Sequence, residues 1–110
     1  MIAPAAEGLA HQMLQALQRE MDNVWEEVKP FAQTEVKSFV ENLLLIEQLQ
    51  QQGRINATQA QLYLEIQKNA MRVVFLTIEG LGILAVEKAL QAAWDVIRAP
   101  VQAALGWTLV

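Results

Sequence analysis

The stretch from Ala70 to Val86, AMRVVFLTIEGLGILAV, constrains the fold of this chain more than any other. It carries two charges in seventeen residues, Arg72 and Glu79, and its apolar side chains point in every direction of a helical wheel. A surface helix keeps one polar face, so a helix that is apolar nearly all round needs neighbours on more than one side. The segments before and after it are amphipathic with an ordinary helical period and can serve as its covering. An all-α architecture follows.

Upstream, apolar residues recur as Leu9, Met13, Leu14, Leu17, Met21, Val24, Trp25 and Val28, the i, i+3, i+4, i+7 spacing of an amphipathic helix. Pro4 with Glu7 close behind it suits a helix start near residue 5. Pro30 either kinks this helix or ends it near Lys29. The apolar stripe keeps its phase through Phe31, Ala32, Val36 and Phe39, and Pro30 lies on the polar side, so the sequence favours one helix over about 5–52, kinked at Pro30.

The clearest boundary is residues 53–56. Gly53 stands where a helix ends in the left-handed conformation, and Asn56 with Gln59 reads as an N-cap and its partner three residues on. So short a loop makes the flanking helices antiparallel neighbours. The next helix is expected over about 57–98, through Leu62, Tyr63, Ile66, Ala70, Val73 and Val74 and across Gly80-Leu81-Gly82, since Ile83, Val86, Leu90, Trp94 and Ile97 keep the period. At the standard rise it is about 63 Å long. Glycines inside it would let another backbone approach closely. Ala99-Pro100 ends it or kinks it, Val101 to Leu105 could add one more turn, and 99–110 is left as an apolar C-terminal tail.

A hairpin of two such helices leaves Ala70–Val86 half uncovered. Two remedies exist: pairing of two hairpins into a four-helix bundle by homodimerisation, with coiled-coil packing, or a four-helix monomer broken near Pro30 and Gly80/Gly82. The first keeps both helical phases intact and is the favoured reading. Its seam is expected at Val73, Leu76, Glu79, Gly80, Ile83, Val86 and Trp94. Trp107, in the tail, is the best single candidate for contact with a partner, because tryptophan is enriched where binding energy concentrates.

At 110 residues there is room for one core, and the whole chain reads as a single helical domain. The net charge of −4 counts against nucleic acid, which requires a basic face. Acids gather in the first half, with eight against three bases over residues 1–52, so that half is the more polar coat. The absence of cysteine excludes disulfides and thiolate chemistry, and the first dozen residues lack the basic and apolar regions of a leader; a cytoplasmic location is expected.

Enzymatic readings find little support. Ser38 is the only serine and His11 the only histidine, too far apart on one arm to form a nucleophile–base pair. A carboxylate metal bundle needs Glu-x-x-His motifs, and none is present; Glu7 and His11, at i and i+4, could share only a surface ion. Glu79 stands among Phe75, Leu76, Ile83 and Val86, and a buried carboxylate there calls for a partner such as Arg72 or Lys37, or for its own symmetry mate. No catalytic residue, metal or cofactor is expected. The expected role is that of a non-catalytic helical assembly or adaptor protein whose partner is itself or another helical protein. The competing role is a protein of lipid surfaces or apolar ligands, which the acidic first helix disfavours. A span through the bilayer is disfavoured by the charges at Arg72 and Glu79.

Overall fold

The first departure from a long hairpin comes at Met21. The computed structural model describes residues 6–105, and among them the chain is all-α with four α-helices: α1 Ala6–Glu20, α2 Trp25–Gln51, α3 Ala57–Leu76 and α4 Ile83–Leu105. A 3-10 turn, Asp22–Val24, links α1 to α2. An unbroken helix over 6–51 would be about 69 Å long, yet the longest dimension of the molecule is 43 Å. The chain doubles back instead, and α1 packs against both α2 and α4.

The break therefore lies at Met21–Val24, and α2 runs on through Pro30. Asp22 and Asn23 are poor helix formers because their side chains compete for the backbone. Met21 and Val24 take φ of −122° and −125°, outside the helical well, and the Val24 N–H donates to the Met21 carbonyl at 3.0 Å. Pro30 is the sixth residue of α2 and exposed, so the carbonyl that its missing N–H leaves unpaired faces water. Thr34 Oγ1 donates back to the Pro30 carbonyl at 3.1 Å.

Between α2 and α3 the chain reverses over five residues. The Gly53 N–H donates to the Gln50 carbonyl and the Arg54 N–H to the Leu49 carbonyl, the paired bonds of a Schellman motif, with Gly53 at φ 71°. Asn56 then opens α3. Its Oδ1 accepts from the Gln59 N–H at 2.8 Å and its own N–H donates to Gln59 Oε1 at 2.9 Å, a complete capping box.

The second expected long helix is broken as well, over residues 77–82. Thr77 caps α3 by donating its hydroxyl to the Val74 carbonyl at 2.6 Å, and Gly80 reverses the chain at φ 90°. A Cβ built on Gly80 or Gly82 would meet nothing within 4 Å. These glycines serve the turn and not a close backbone approach. Two such residues in three positions cost a continuing helix about 2 kcal/mol, and folding back gives α4 two neighbours, α1 and α3.

The core runs the length of the molecule. Met13, Leu17, Val28, Val36, Leu43, Met71, Phe75 and Ile97 are sealed from solvent, and Ala16, Ala89 and Ala93 are buried small residues beside them. Phe39 and Trp94 meet with ring centroids 5.2 Å apart. No helix among the described residues is long and apolar enough to cross a membrane.

Candidate functional site

Helix α3 has two apolar faces. Its inner face is Ala60, Leu64, Met71 and Phe75, all buried, with Lys68 among them. At 100° per residue, Leu62, Ile66, Asn69, Val73 and Leu76 fall within a sector about 80° wide on the opposite side. These are exposed: Leu62 60%, Ile66 57%, Val73 60% and Leu76 39%, with Asn69 exposed between them. Across the turn, Ile83 and Leu84 continue the apolar exposure at 69% and 85%. Singly exposed aliphatics are ordinary; here four share one side of a single helix.

Of the residues by which the sequence traces this helix, Leu62, Tyr63, Ile66, Ala70, Val73 and Val74, none belongs to the buried inner face, and Leu62, Ile66 and Val73 lie on the outer one. The inner face escaped notice because Lys68 interrupts it. Lys68 is only 7% exposed; its stem lies in the core while its Nζ sits 5.4 Å from the Trp94 ring centroid and 3.6 Å from Glu65 Oε1. Amphipathic packing turns a charged residue into a core residue.

The seam residues divide accordingly. Val73 and Leu76 lie on the exposed row of α3, and Ile83, at the start of α4, is exposed too. Val86 and Trp94 are buried inside the same chain, so the fold covers them without a second copy. Glu79 and Gly80 belong to the α3–α4 turn, both exposed. Glu79 is not a buried helical carboxylate: the break at 77–82 lifts it from the apolar helix into solvent, at the rim of a cavity of about 220 Å³ that Val24, Val28 and Leu81 also line. Arg72, its expected partner, lies with Nε 2.9 Å from Glu87 Oε1, an ion contact without hydrogen-bond alignment. Trp107 lies outside the described residues.

Around the exposed stripe the charges are sparse and already engaged. Glu65 approaches Lys68, and Arg72 Nη1 donates to Asn69 Oδ1 at 3.3 Å besides its contact with Glu87. Nothing along this face arranges a nucleophile or a paired acid and base. Among the described residues no group of three or more His, Cys, Asp or Glu side chains could hold a metal ion. What this face can do chemically is exclude water against another apolar surface. Compared with protein-family models, curated proteins and solved structures, the chain has no match.

Proposed function

We propose that the protein is a non-catalytic helical assembly or adaptor protein that docks a partner helix on the outer face of α3. One observation carries this reading: the aliphatic row at Leu62, Ile66, Val73 and Leu76 is exposed at helical spacing although the inner face of the same helix is already packed. Full burial of such a side chain stabilises by about 1.5–3 kcal/mol. Half-exposed, each has about 1 kcal/mol still to gain from a partner. The face resembles the helix-in-groove mode, in which one apolar side of a helix lies against an apolar surface; its anchors here stand at i, i+4, i+11 and i+14.

The test uses the full chain and two variants, Ile66→Glu and Val73→Glu. Both positions face solvent, so neither change removes a core contact. Molar mass by light scattering over a wide concentration range, together with titration against amphipathic helical peptides, should show helix binding by the native chain and a loss of at least tenfold in each variant. Unchanged binding in both would overturn the proposal. So would a native chain that binds no helix and co-floats with neutral liposomes, an outcome that moves the face to the lipid surface.

A further inference from the structure

The order of residues on the outer face of α3 identifies its occupant. Leu62, Ile66, Asn69, Val73 and Leu76 are spaced four, three, four and three, the a/d rhythm of a heptad with d at 62, 69 and 76 and a at 66 and 73. Both a positions are β-branched, and the d positions are leucine except for one central asparagine. Within parallel coiled coils, β-branched residues at a with leucine at d favour two strands over three or four. Resting on the reading that this face docks a helix, we infer that the partner is a second copy of this chain, its α3 parallel to the first and Asn69 facing its own mate.

The asparagine decides the direction. In a parallel pair each layer meets its own copy, so two Asn69 amides meet and each can donate to the other's Oδ1; that oxygen also accepts from Arg72 and has a second lone pair. An antiparallel pair sets a against d. The register that brings Glu65 opposite Arg72 of the second copy puts Asn69 against Ile66, leaving a buried amide unpaired, and puts Leu76 against Gln59. Its attraction is two exposed ion pairs, which contribute little at a surface. Both groups also have partners within their own chain. In the parallel pair the flanking e and g positions hold Tyr63, Glu65, Ala70 and Arg72, which bring no like charges together across the seam.

The size of the face sets the strength. The helix from Leu62 to Leu76 rises about 21 Å, and at a width of about 10–12 Å it gives a footprint on the order of 250 Å². Ile83 and Leu84, across the turn at the same end of α3, are exposed as well. This is well below the roughly 800 Å² per partner of a standard stable interface. The pair is a reversible one, with a dissociation constant on the order of 10–1,000 µM.

The chain has no cysteine, so single-cysteine variants report the geometry without background. Leu62→Cys and Leu76→Cys, oxidised at millimolar concentration, should each yield a disulfide-linked dimer, because a parallel pair holds each d residue beside its mate. Gln18→Cys, exposed on α1, which packs against α2 and α4, should remain monomeric. In the antiparallel register two copies of residue 62 lie about 16 Å apart, beyond the roughly 7 Å limit for a disulfide. Cross-linking of Leu62→Cys only to a Val73→Cys chain would overturn the parallel pairing while leaving helix docking intact. A chain monomeric at every concentration, and cross-linked in neither d variant, overturns the second copy as occupant. Helix docking then stands or falls with the peptide titration.

Discussion

Two buried polar side chains, Glu47 and Lys68, show how single residues depart from the pattern around them. Lys68 resolves its burial by laying its stem on the core and its charge over Trp94. Glu47 does not. It is 4% exposed, with Gln51 Nε2 at 3.5 Å from Oε1, and its Oε2 has no hydrogen-bond partner among the described residues. An unsatisfied buried polar atom costs about 1–3 kcal/mol, and replacing it by an apolar group of similar volume removes that cost. Glu47→Leu should therefore raise the unfolding free energy by about 1 kcal/mol, read as a higher urea midpoint at unchanged slope. A lower midpoint would mean that Oε2 has a partner of value. Neither residue stands out by sequence. Glu47 is flanked by Ile46 and Gln48 in a helix rich in Gln and Glu, where solvent is the ordinary destination of a carboxylate.

Helix boundaries separate what the chain states locally from what packing decides. The end of α2 and the start of α3 are written in three or four adjacent residues, Gly53 and the Asn56–Gln59 box, so local chemistry suffices to place them. The breaks at 21–24 and 77–82 are different. In each, the apolar period on one side resumes in phase on the other, and a chain that doubles back without losing phase looks continuous to any periodicity argument. Long-range packing of α1 on α4 is what selects the break, and no local window contains it. At Pro30 the expected continuation holds, because the exposed side of α2 tolerates the missing donor; at Pro100 the expected helix end near residue 98 does not, since α4 contains the proline and runs to Leu105. The α3–α4 turn offers a direct check. Gly80 holds φ 90° and Gly82 has no such angle, although both have open space for a Cβ. Gly80→Ala should destabilise by about 1–2 kcal/mol, while Gly82→Ala should change stability by less than about half of that. Equal effects in thermal unfolding would show that the turn relaxes away from the left-handed conformation.

For the whole molecule, the sequence argument that Ala70–Val86 needs covering on more than one side holds for the residues and changes in its arithmetic. Folding back gives this stretch more cover than a single hairpin would: Met71, Phe75, Ile78 and Val86 are enclosed by the chain itself. Val73, Leu76 and Ile83 are not, and Leu62 and Ile66 lengthen the uncovered row. The apolar surplus that composition announces is therefore divided between a core and one external face. The forces available to that face make its salt response diagnostic. Each copy carries a net charge of −4, so two copies repel at long range, and this repulsion weakens as salt shortens the screening length from about 10 Å at 0.1 M to about 3 Å at 1 M. Apolar burial at the a and d layers is not weakened by sodium chloride. A parallel α3 pair should accordingly hold its affinity, or gain up to a few-fold, between about 0.05 and 0.5 M salt. Pairing held by Glu65 and Arg72 across the seam responds in the opposite direction, losing affinity as its ion pairs are screened. Sedimentation equilibrium at the two salt concentrations reads the sign directly, and weakening with salt would assign the association to ion pairs and not to the aliphatic row.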